Sequence, residues 1–128
     1  MNIKKMITGL VLSMLLSSGT ANADWSDVYF CQKTNSIEIK PEGEMKNYKL
    51  EKFQFKLNQT KNAMVFGSSG FFAGSVKELT TGMNWPSEEA WYVNDKYSMI
   101  YFEKGKFFYT SIHGIEGISS ISADCDKF

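Results

Sequence analysis

Positions 97–113, YSMIYFEKGKFFYTSIH, constrain the fold of this chain more than any other stretch. Two runs rich in Tyr, Phe, Ile and Met flank Glu103-Lys104-Gly105-Lys106, and Gly105 supplies the positive φ that a two-residue hairpin turn requires. With Lys104 and Gly105 as the turn, the ladder sets Glu103 opposite Lys106, Phe102 opposite Phe107, Tyr101 opposite Phe108 and Ile100 opposite Tyr109. Both faces of that ladder are aromatic. A strand wet on one face alternates apolar with polar, so this hairpin is expected to be central and covered on both sides.

The remaining pattern is of short strands divided by turn signals. Val28-Tyr29-Phe30-Cys31 and Ile37-Glu38-Ile39-Lys40 read as two strands around a polar turn at 32–36. Over 52–57, Phe53, Phe55 and Leu57 point one way and Lys52, Gln54 and Lys56 the other. Ala63-Met64-Val65-Phe66 follows a polar turn, and 71–79 reads as a strand in which Gly74 marks a bulge or a close backbone approach. Trp91-Tyr92-Val93 precedes the hairpin. The last strand, 119–125, places Ile121, Ala123 and Cys125 on one face. About eight such strands predict an all-β, antiparallel meander that closes into a small barrel or packs as a two-sheet sandwich.

Residues 1–23 carry Lys4 and Lys5, an apolar run at 6–16 and the close Ala21-Asn22-Ala23, the pattern of a cleaved signal peptide. The run is too short for the ~30 Å hydrocarbon core, which takes about 20 helical residues, so no membrane span is expected in the mature chain. That chain, 24–128, is the size of one domain, and all 19 aromatic residues fall within it. Its destination is the periplasm or the extracellular space. There, Cys31 and Cys125 read as one disulfide tying the two ends together.

Charge and motifs narrow the function classes. Two of the 14 Lys lie in the leader, so 12 face 14 acidic residues, and there is no Arg. A nucleic-acid binder carries a basic stripe with Arg forks, which argues against that class. Neither cysteine has a His or a second Cys at ligand spacing, so no metal and no cofactor are expected. Gly67-Ser68-Ser69-Gly70 is neither a phosphate-cradling loop nor a nucleophile elbow. Asn58-Gln59-Thr60 matches a glycosylation sequon and is explained by turn chemistry. His113, the only histidine, and the carboxylate pairs Glu88-Glu89 and Asp124/Asp126 lack any motif that would make them catalytic, so no enzyme is expected.

The longest interruption, 80–90, contains Trp85 and Pro86, and Ser87 there is placed to cap one helical turn. With Trp91 at its end, it brings two indoles close in sequence. Trp is enriched at binding hot spots, which makes Trp85 and Trp91 the candidate contact residues for a ligand or partner; the alternative is a lid packed over one end of the barrel.

The two ends, Asp27-Val28-Tyr29-Phe30-Cys31 and Cys125-Asp126-Lys127-Phe128, resemble those of small exported proteins of unknown function from marine bacteria. That group has no assigned activity, so the likeness implies export and a single domain. The early Tyr29-x-Cys31 and the late Cys125 are also similar to periplasmic lysozyme-inhibitor barrels. Ser69-Gly70 and Gly74 resemble that family's inhibitory Ser-Gly loop, while its Arg-Tyr element has no counterpart here. The expected function is therefore a non-catalytic domain binding an apolar small molecule or an envelope partner. The alternatives are an inhibitor of a hydrolase such as lysozyme, and an enzyme with a dispersed site.

Overall fold

A computed structural model describes residues 23–80 and 89–128. Of the segment read as a signal peptide, 1–22 lie outside the described residues, as do Trp85 and the Ser87 cap. Among the described residues nine strands form one antiparallel sheet: β1 (Val28–Ile39), β2 (Met45–Asn47), β3 (Lys52–Asn58), β4 (Ala63–Phe66), β5 (Val76–Glu78), β6 (Trp91–Asn94), β7 (Ser98–Glu103), β8 (Lys106–Ile112) and β9 (Ile118–Lys127). Among the described residues no helix is long and apolar enough to cross a membrane.

The strand order is β5-β4-β3-β1-β9-β8-β7-β6, with β2 also pairing β1. Read along the chain, this is a meander whose first and last strands meet. The β1–β9 ladder runs from Tyr29 opposite Lys127 to Ile39 opposite Ile118. At the remaining seam the Thr80 backbone N–H donates to the Tyr92 carbonyl at 2.8 Å, and the Asn94 N–H donates to Thr80 Oγ1 at 3.0 Å. The sheet is thus nearly closed into a barrel. A continuous wall removes the two-sheet sandwich, and near-closure protects the β5 and β6 edges that an open sheet would expose.

Period-2 alternation places the core. Phe53, Phe55 and Leu57 of β3 are buried and their neighbours are not. Their rings meet those of the hairpin: Phe55 lies 5.1 Å from Phe102 and Phe53 lies 5.0 Å from Phe107, centroid to centroid. Phe72, from the loop after β4, drops between Phe66 and Tyr109 at 4.7 and 5.0 Å. Edge-to-face and offset contacts of this kind favour aromatic pairs beyond the area they bury. Side chains fill the barrel.

The disulfide forms between Cys31 and Cys125, which are direct partners in the β1–β9 ladder with Cα atoms 4.0 Å apart and both residues buried. The hairpin adopts the register read from its sequence, pair by pair. Lys104 (φ 48°) and Gly105 (φ 78°) make the turn, the combination of two positive φ values that matches strand twist.

Three expectations are corrected. The hairpin is not covered on both faces: Phe107 is fully buried, whereas Phe108 is 51% exposed on the outer wall. It is nevertheless no edge, since β7 and β8 each have two sheet neighbours. The two short strands at 28–31 and 37–40 are one strand, β1, with an irregularity between Lys33 and Asn35 that admits one extra residue. The strand expected at 71–79 shrinks to β5, because 71–74 form turns and Gly74, at φ 71° with nothing within 4 Å of an added Cβ, is a turn residue, neither a bulge nor a close approach.

Candidate functional site

The extra residue in β1 shapes the end of the barrel. Up to Lys33 the odd positions, Tyr29, Cys31 and Lys33, face inward; beyond it Ser36 is buried while Ile39 faces out. A bulge re-aims side chains in this way because two residues occupy the space opposite one partner. Lys33 and Ser36 therefore come to the floor of a mouth of about 490 Å³, walled by Tyr48 and Glu51 on one side and by His113 and Ser119 on the other. Phe71 closes over it. Gly70 makes that closure feasible: its φ is +84°, and a Cβ there would stand 3.0 Å from the Lys52 carbonyl oxygen.

Lys33 is the unusual member. It is only 3% exposed, and its Nζ lies 5.3 Å from the centroid of the Phe71 ring. Among the described residues its ammonium has no hydrogen bond and no ion pair. Burial pushes its pKa below the ordinary lysine value, opposed by the charge of Glu51. Of the other polar groups of the mouth, Glu38, Tyr48, His113 and Ser119 are already engaged. The Tyr48 hydroxyl donates to Glu38 at 2.7 Å, Lys40 pairs with the same carboxylate at 2.9 Å, and His113 Nε2 and Ser119 Oγ share a hydrogen bond of 2.9 Å. These contacts hold the Glu38 carboxyl below its usual range, the Lys40 hydrogen bond being the main cause, and raise the Tyr48 phenol through its bond to Glu38.

A second concavity lies on the outer wall. Tyr92, Tyr101 and Phe108 are ladder partners across β6, β7 and β8, so their side chains stand in one row. With Met99 below them they line an almost wholly apolar groove of about 460 Å³. The Tyr101 hydroxyl is tied to Glu103, and burial together with that contact pushes its pKa up to about 12.

The residues singled out in the sequence are dispersed. Trp91 is partly buried against the core and 4.9 Å from the Trp25 ring in an edge-to-face contact, and it does not line the mouth. His113 is at the mouth, bonded to Ser119. Asp124 pairs with Lys106 at 2.7 Å on the surface, and Glu89 lies 3.5 Å from Lys104. Among the described residues no three of His, Cys, Asp and Glu gather as metal ligands would. Sequence reasoning missed Lys33, which had been placed in a polar turn. The available signal was its spacing, two residues on from Cys31 and four from Tyr29, which assigns it to the inward face.

Comparison with protein-family models, with curated proteins and with solved structures finds no match to this chain.

Proposed function

We propose that the chain is an exported, non-catalytic binding domain that takes an apolar small molecule on the outer wall of its barrel. One observation carries this reading: side chains fill the interior, while the row Tyr92, Tyr101 and Phe108 leaves a groove of ligand size lined by apolar atoms. Flat aromatic side chains held on a rigid sheet bind with little loss of conformational freedom. The leader-like pattern at 1–23 and the disulfide support export. The test is titration with N-phenyl-1-naphthylamine, a neutral apolar fluorophore. Saturable fluorescence enhancement is expected in the native protein and its loss in Tyr101→Ser/Phe108→Ser, with the melting temperature little changed. Enhancement that survives the double substitution removes the groove as the site.

The inhibitor reading has one specific support, the position of Ser69-Gly70 beside the exposed Phe71 at the rim of the mouth. It requires that purified protein slow lysozyme, and that Phe71→Ala relieve the effect.

A further inference from the structure

We propose that the mouth of the barrel is a separate binding site, for a small monocarboxylate whose apolar body lies against Phe71. The primary observation is Lys33, a residue more than nine-tenths buried that lines the mouth and whose ammonium has no hydrogen-bonding or ionic partner among the described residues. Burying a cation is costly unless it is paired. The Phe71 ring covers one side of the charge, a contact of cation–π type, and its faces accept no conventional hydrogen bond. The ammonium's donors thus find no acceptor among the described residues, and the cavity that Lys33 lines is where one can be supplied. A carboxylate placed there supplies the missing acceptor in a charge-assisted hydrogen bond.

The charges around Lys33 set the class of ligand. Glu38 faces the mouth but is neutralised by Lys40 and bound by Tyr48. Glu51 also lines it and opposes a second negative charge, and Lys49 is the only other lysine of the lining. His113 is engaged with Ser119. One unpaired buried cation beside a carboxylate matches a single negative charge, and a phosphate dianion meets repulsion from Glu51. The size of the mouth, about 490 Å³, and its apolar surfaces, Phe71 and Ile121, leave room for a body beyond the carboxylate. The site uses neither the aromatic row of the outer wall nor the two indoles, so it stands or falls independently of the groove.

The experiment is an amide chemical-shift titration of the whole mature protein with three probes: phenylacetate, 2-phenylethanol and inorganic phosphate. Phenylacetate is expected to give saturating shifts at Ser36, Glu51, Phe71 and His113. 2-Phenylethanol, which keeps the ring and lacks the charge, is expected to bind at least about tenfold more weakly, and phosphate to leave those amides in place. Lys33→Met, which preserves the length of the stem, abolishes the phenylacetate shifts. A readout without substitution runs beside it: phenylacetate, and not 2-phenylethanol, slows reductive methylation of Lys33 relative to the surface lysines. Equal binding of the acid and the alcohol, binding of phosphate as tight as that of phenylacetate, or an unprotected Lys33 each overturns the proposal.

Discussion

Adjacent residues of this barrel live in opposite environments, and Phe107 and Phe108 show how sharply. Phe107 packs on Phe53 and Phe72 inside, so Phe107→Ala removes a fully buried ring and is expected to cost about 3 to 5 kcal/mol. Phe108 stands half exposed in the outer groove, and Phe108→Ala is expected to stay within about 1 kcal/mol. Urea denaturation of both variants measures the difference; equal losses contradict the one-sided burial. Lys33 gives the residue scale a pH signature. Its folded pKa is depressed, so above that value the unfolded chain binds more protons than the folded one, and stability rises with pH until the unfolded lysine titrates, near 10.5. Below that window the full cost of the buried charge is present. Lys33→Met is therefore expected to melt at or above the wild-type temperature near neutral pH, with the gap narrowing as the pH approaches about 10. A variant that melts well below wild type at neutral pH, with a gap indifferent to pH, means that the ammonium is stabilising after all.

At the scale of elements, the hairpin was the most legible part of the chain, because a turn demanding two positive φ values fixes register with little help from tertiary contacts. Gly105 carries that demand twice. Its φ is 78°, and an added Cβ would lie 2.9 Å from the Cys125 carbonyl oxygen, a rigid backbone atom that cannot step aside. Gly105→Ala is expected to destabilise by about 1 to 2 kcal/mol or more, read as a fall in the denaturation midpoint; no change shows that the turn relaxes freely. What the hairpin sequence did not reveal was which face is dry. An outer wall bearing Tyr101 and Phe108 has the same apolar character as an inner one, and only the curvature of the closed sheet separates them. β1 was misread for a related reason. Its polar middle, Gln32 to Asn35, looks like a turn, yet pairing to β9 continues through it with one residue bulged out. Propensity yields there to a partner strand distant in sequence. The same bulge carried Ser36 into the mouth, so the candidate site was legible only in its parts: His113 was noticed, Lys33 and Phe71 were not, and nothing local indicated that they meet.

For the molecule as a whole, closure rests on the β1–β9 ladder, the one pairing that joins strands from opposite ends of the chain. Its formation must bring together residues 94 positions apart, and the Cys31–Cys125 bond removes that separation from the unfolded state. On the chain-entropy account a loop of this length stabilises the fold by roughly 4 to 5 kcal/mol, a large share of the ~5 to 15 kcal/mol typical of a small domain. The bond and the ladder are nevertheless separable. β1 and β9 remain paired through Ile39 and Ile118, and the aromatic interior does not depend on sulfur. Cys31→Ala/Cys125→Ala is therefore expected to keep the native far-ultraviolet spectrum in the cold while losing about 4 kcal/mol of stability. The slope of its urea transition is expected to steepen, because the unfolded chain, freed of its cross-link, exposes more surface. Thiol titration of the denatured, unreduced wild type should find no free sulfhydryl. Two reactive thiols per chain, or a denaturation midpoint in the double variant equal to that of the wild type, would mean that β1 and β9 close the barrel without the bond.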